Sequence, residues 1–102
     1  MGIDLFWEDE RGKSLGTVTD EKNLFARLLV NSKLDGTVCL RFIDRYGDTV
    51  FNQLQIPSLI GEIEHLFASV KDYPTQQQIE AILTLAGKSR GETHTYLKFY
   101  GD

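Results

Sequence analysis

The densest grouping of chemistry-bearing side chains in this 102-residue chain is Asp44-Arg45-Tyr46-Gly47-Asp48. Two carboxylates near one turn could bind a cation or exchange protons in acid–base work. A calcium loop needs alternating oxygen ligands over about twelve residues, and this stretch lacks them. Asp is also favoured in turns because its side chain hydrogen-bonds nearby backbone, so a local structural role is the stronger expectation. His94 is the further polar group that a small enzyme or small-molecule binder could combine with Asp44 and Asp48. That reading requires all three to converge in one cleft.

Other catalytic or ligand-binding patterns are missing. Cys39 and the two histidines, His65 and His94, have no recognised zinc-ligand spacing. Cys39 falls within an alternating apolar stretch and reads as an inert, half-buried thiol. No Ser occupies a nucleophile elbow, and Gly87 and Gly91 belong to no phosphate-cradling loop. No metal and no cofactor is implied, and an enzyme has no positive support.

The segment Thr93 to Tyr100 alternates, setting His94, Tyr96, Lys98 and Tyr100 on one side and Leu97 and Phe99 on the other. Phe6 can share the polar-aromatic side from a neighbouring strand. Aromatic and basic residues on an open sheet suggest RNA stacking. The chain, however, carries a net charge of −4 and lacks the ribonucleoprotein aromatic motif, which argues against nucleic acid. Tyrosines on a sheet face also anchor protein contacts, or simply stabilise the sheet through cross-strand pairing.

Acid is concentrated at the start, where Asp4, Glu8, Asp9 and Glu10 precede any basic residue. A solvated edge and turn is the plain reading, and an acidic patch docking a basic partner is the sharper one. Cys39 is the single cysteine, so no intrachain disulfide is possible. There is no secretion-like start and no apolar run near the roughly 20 residues that span a bilayer. A cytoplasmic protein with no membrane association is expected.

The elements that must position these residues read as one α+β domain over 1–102. Ile3, Leu5 and Trp7 alternate with polar neighbours as a strand, and 15–18 can form a second one. Thr19 or Asp20 can cap a helix carrying Leu24, Phe25, Leu28 and Leu29 and ending near Asn31 or Lys33. Asp35-Gly36 then opens a predicted hairpin, 38–43 against 49–53. With a four-residue loop, Phe42 faces Phe51 and Ile43 faces Val50. Pro57 suits a first helical turn, followed by Leu59, Ile60, Ile63, Leu66, Phe67 and Val70 at helical spacing. Asp72-Tyr73-Pro74 breaks that helix. Thr75 with Gln78 caps the next, whose face is Ile79, Ile82, Leu83 and Ala86 and whose stop is Gly87.

The expected fold is therefore an antiparallel sheet of four or five strands with helices on one face, in the order β(β)-α-β-β-α-α-β. Without the strand at 15–18 the order approaches the ferredoxin-like split βαβ. With it, the first unit becomes a hairpin and the fold a helix-covered antiparallel sheet.

The stretch Leu40-Arg41-Phe42-Ile43-Asp44-Arg45-Tyr46-Gly47-Asp48-Thr49-Val50-Phe51-Asn52-Gln53-Leu54-Gln55 resembles a segment of small uncharacterised bacterial α+β proteins. Some of these are similar in size and acidity to immunity proteins, which inhibit a cognate toxin by plugging its site. The resemblance implies a bacterial interaction protein and transfers no site residue. The leading expectation is thus an acidic protein-interaction module, an immunity-type inhibitor or scaffold, contacting a basic toxin or a second copy of itself. Its candidate contacts are Glu8, Asp9, Glu10, Asp44, Asp48, Tyr96 and Tyr100.

Overall fold

The computed structural model describes residues 2–101. Four strands and three helices follow one another as β1 (Ile3–Asp9), β2 (Ser14–Val18), α1 (Leu24–Val30), β3 (Asp48–Phe51), α2 (Ile56–Phe67), α3 (Tyr73–Ser89) and β4 (Thr95–Gly101). The strands form one sheet in the order β2-β1-β4-β3, and every neighbouring pair is antiparallel. The strand at 14–18 is present, so β1 turns back through a hairpin and the helix-covered antiparallel sheet is the arrangement formed. No helix among the described residues is long and apolar enough to cross a membrane.

Alternation decides which face is covered. Ile3 and Leu5 of β1, Leu97 and Phe99 of β4 and Phe51 of β3 are buried. They meet Phe25 and Leu29 of α1, Ile56, Leu59 and Ile63 of α2, and Ile79, Ile82 and Ala86 of α3 in one core. Phe99 is the hinge of that packing, stacked on Phe25 at 5.6 Å and edge-on to Phe51 at 6.0 Å between ring centroids. The alternate residues Asp4, Phe6, Glu8, Tyr96, Lys98, Tyr100, Asp48 and Val50 therefore point away from the helices.

Two parts of the sequence reading need correction. Residues 38–43 form no strand; Leu40–Phe42 is a turn of 3-10 helix. β3 pairs with β4, where Val50 lies opposite Lys98 and Phe51 opposite Leu97. Phe51 is buried while Phe42 is 60% exposed, so the expected Phe42–Phe51 pair does not exist. The cause lies on α2: the Glu62 carboxyl accepts the backbone N–H groups of Val38, Cys39 and Leu40 at 2.6, 3.1 and 3.0 Å. Donors captured by a side chain are lost to any ladder.

The ends of α3 also differ from the expectation. α3 starts at Tyr73, capped by Asp72, whose carboxyl accepts from the Thr75 amide at 3.1 Å and from its hydroxyl. Those two bonds hold the Asp72 carboxyl below its usual range. Pro74 sits in the first turn, where no intrahelical N–H is required. At the other end the helix runs through Gly87 to Ser89, and the left-handed residue is Gly91, at φ 84°.

α1 begins at Leu24 after Asn23 in a left-handed conformation, and no side chain occupies the N-cap position itself. Asp20 serves instead from three residues further back. It is only 2% exposed and accepts from the backbone N–H groups of Ile3, Phe25 and Ala26 at 3.0–3.1 Å. One carboxyl thus joins the start of β1 to the start of α1. Replacement by Ala leaves three buried donors without that acceptor. We expect Asp20→Ala to lose about 3 kcal/mol of stability. The thermal midpoint should fall by upward of about 10 °C in a domain this small. A thermal melt followed by circular dichroism tests it; a midpoint within about 2 °C of wild type would show that the anchor is dispensable.

Candidate functional site

The open face of the sheet gathers most of the residues singled out in the sequence. β1 and β4 run antiparallel at its centre, placing Glu8 opposite Tyr96, Phe6 opposite Lys98 and Asp4 opposite Tyr100. β3 adds Asp48 opposite Tyr100 and Val50 opposite Lys98. The Phe6 and Tyr100 rings meet edge to face at 4.8 Å. Beyond that contact the Tyr100 hydroxyl donates to Glu8 Oε2 at 2.7 Å. Lys98 Nζ lies 4.7 Å from the Tyr100 ring centroid and 3.8 Å from Asp48 Oδ2. Phe6, Glu8, Lys98, Tyr100 and Asp48 form one connected surface across three strands.

The other expected contacts lie nearby but are occupied differently. Asp9 closes the β1–β2 turn, its Oδ1 accepting from the Arg11 and Lys13 amides at 2.9 Å each. Glu10 is exposed in that turn and contacts His94, Oε2 to Nδ1 at 3.1 Å. Asp44 is engaged inside its own turn, accepting from the Tyr46 amide at 2.8 Å. Tyr96 is half-buried and lines a cleft of about 310 Å³ at the end of the open face, with His94, Thr93, Gln53 and Leu54.

Asp44, Asp48 and His94 do not converge. Asp48 sits opposite Tyr100 and His94 precedes Thr95, so about six strand residues, roughly 20 Å, separate them along β4. Neither aspartate lines the cleft that holds His94. Among the described residues no group of three or more His, Cys, Asp and Glu side chains could hold a metal ion. Cys39 is buried, and burial followed by the Glu62 charge pushes its thiol above its ordinary value, away from a reactive thiolate.

Two exposed apolar residues on this surface are not among the expected contacts. Leu54, 89% exposed, stands at the rim of the Tyr96 cleft, and Val50, 51% exposed, lies on the open face. Val50 was legible in principle, since it alternates with Phe51 within β3. Leu54 had no periodicity to reveal it, because it stands in the turn between β3 and α2.

The Glu8 bond gives the Tyr100 phenol a recognisable signature. That bond, then partial burial, raises the Tyr100 pKa, against a smaller opposing effect of Lys98. Because the folded value is raised, the contribution to stability is complete below the unfolded value and disappears as pH rises through the folded one. An ultraviolet titration of the four tyrosines should contain a phase above the ordinary phenol range. That late phase should vanish in Tyr100→Phe and move down in Glu8→Gln; its absence from the wild-type titration would contradict the network. For Cys39, a thiol reagent should label the native protein at least about a hundredfold more slowly than the denatured chain. Equal rates would show the thiol to be open. No protein-family model, curated protein or solved structure matches this chain.

Proposed function

We propose that this protein is an interaction module that holds a basic protein partner on the open face of its sheet. One observation carries the reading: a face with no helices over it presents Phe6, Tyr96, Tyr100 and Val50 among three carboxylates, Asp4, Glu8 and Asp48, against one cation, Lys98. Tyrosine and phenylalanine bring contact area at little entropic cost, and the surrounding acid favours association with positive surfaces. The network from Glu8 through Tyr100 and Lys98 to Asp48 holds the face in place before any partner arrives, which lowers the ordering cost of binding. A basic bacterial toxin held in this way is the immunity-type form of the proposal. The enzyme alternative lacks a comparable observation, because His94 lies at the far end of β4 from Asp48 and the turn that holds Asp44.

The test is capture from lysate by immobilised protein, compared across variants and salt. Wild type should retain a single basic partner, less of it as salt rises. Tyr96→Ala and Glu8→Gln should each weaken retention at least about tenfold. Lys88→Ala, on the exposed side of α3, should not. A partner retained equally by all three variants would move the interface elsewhere and refute the proposal. A chain that captures nothing and dimerises in solution, with dimerisation abolished by Tyr96→Ala, would replace it with self-association through the same face.

A further inference from the structure

A second surface, separate from the sheet face, has the opposite chemistry. Between α1 and the 44–47 turn lies a cleft of about 370 Å³, lined by Asn23, Arg27, Val30, Asn31, Arg45 and Tyr46 among others. Among the described residues its only charged lining side chains are the two arginines, in a chain whose net charge is −4. Among the described residues neither arginine has a carboxylate within ion-pair distance.

The arginine on the turn is held in position. Arg45 is half-buried, its Nη2 donates to the Tyr46 hydroxyl at 2.8 Å, and its guanidinium carbon lies 5.1 Å from the Tyr46 ring centroid. The turn beneath is fixed as well. Asp44 Oδ1 accepts from the Tyr46 amide, the Asp44 amide donates to Thr49 Oγ1 at 2.9 Å, and Gly101 donates to the Gly47 carbonyl at 2.7 Å. A Cβ at Gly101 would collide with the backbone of Asp44 and Arg45, so the end of β4 presses directly on this turn. Arg27 comes from α1, which Asp20 anchors. It also acts on Asp72 across the adjoining groove, but a guanidinium has five donors and can serve both sides.

Two guanidiniums lining one cleft that no described carboxylate lines suit a compact dianion, because each presents a planar fork of donors to phosphoryl oxygens. The amides of Asn23 and Asn31 add neutral donors, and the Tyr46 ring, 72% exposed, offers a flat surface beside them. The volume lies within the range of small-molecule sites. We propose that this cleft binds a small organic phosphate, with the phosphoryl group between Arg27 and Arg45 and a planar body against Tyr46.

Phenyl phosphate is the probe, added to isotopically labelled protein at low ionic strength while the amide resonances are followed. Saturable shifts confined to residues 23–31 and 44–47 are expected, with inorganic phosphate and benzoate each binding about tenfold more weakly. Arg45→Gln should weaken phenyl phosphate at least about tenfold. Arg27→Gln, at an exposed position, should do the same. The amide spectrum of each variant reports whether it is folded. The proposal is overturned by no saturation up to about 20 mM, by shifts scattered over basic residues elsewhere, or by unchanged affinity in a folded variant. Inorganic phosphate or benzoate binding as tightly as phenyl phosphate would overturn the assignment to a phosphate on a planar body.

Discussion

The Asp20 carboxyl is where the sheet and the helices are tied together. Its oxygens reach one strand amide, Ile3, and two helix amides, Phe25 and Ala26, from a position almost closed to water. The Asp20 amide in turn donates to Asp4 Oδ1 at 2.8 Å, so the segment is held from both sides. This junction sets where α1 begins, and with it the position from which Phe25 reaches Phe99 at the middle of the core. A seven-residue helix is too short to be stable alone. Its place depends on having its first donors satisfied and its apolar side buried.

Glu62 applies the same chemistry elsewhere. By accepting three consecutive amides from 38–40 it turns an apolar, strand-like sequence into a strap lying on α2. The strap buries Cys39 and Leu40 while exposing Val38 and Phe42. The released partner, β3, takes the free edge of β4. Gln53 completes the rearrangement by bridging the chain after β3 to the end of α3: its amide nitrogen donates to the Ser89 carbonyl at 3.0 Å, and its oxygen accepts from Gly91 at 2.8 Å. Asp20, Glu62 and Gln53 thus each join segments far apart in sequence.

That explains which features were legible in advance. Period-two alternation in β1 and β4 and helical spacing in α2 and α3 are set by burial of a continuous apolar face, so Leu5, Leu97, Ile63 and Ile82 read correctly. So did the shared side of Phe6, Tyr96, Lys98 and Tyr100, because a strand's two faces follow from register alone, whereas His94, expected with them, precedes β4 at a positive φ. The hairpin at 38–53 misled because local apolar alternation carries no information about a carboxyl more than twenty residues away. The α3 start was missed for a similar reason: Tyr73-Pro74 reads as a break, although proline in the first turn is compatible with a helix once Asp72 caps it. The cleft lined by Arg27 and Arg45 was invisible, since its two arginines lie 18 positions apart and share a cleft only through the fold.

The polar network on the open face bears on whether that face is only a solvated surface. A solvated tyrosine ladder needs ring contacts and nothing more, with each polar tip free in water. Here Tyr100 lies edge-on to Phe6 and directs its hydroxyl to Glu8, while Lys98 is shared between the Tyr100 ring and Asp48. Partly exposed ion pairs and hydrogen bonds of this kind contribute little to stability, because water competes for every partner. Their larger consequence is order: they restrict the rotamers of residues that would otherwise have to be immobilised on contact. Flexible side chains lose roughly 0.5–1.5 kcal/mol each when an interface fixes them. A face on which much of that cost is met before contact is better suited to recognition than its modest contribution to folding would suggest.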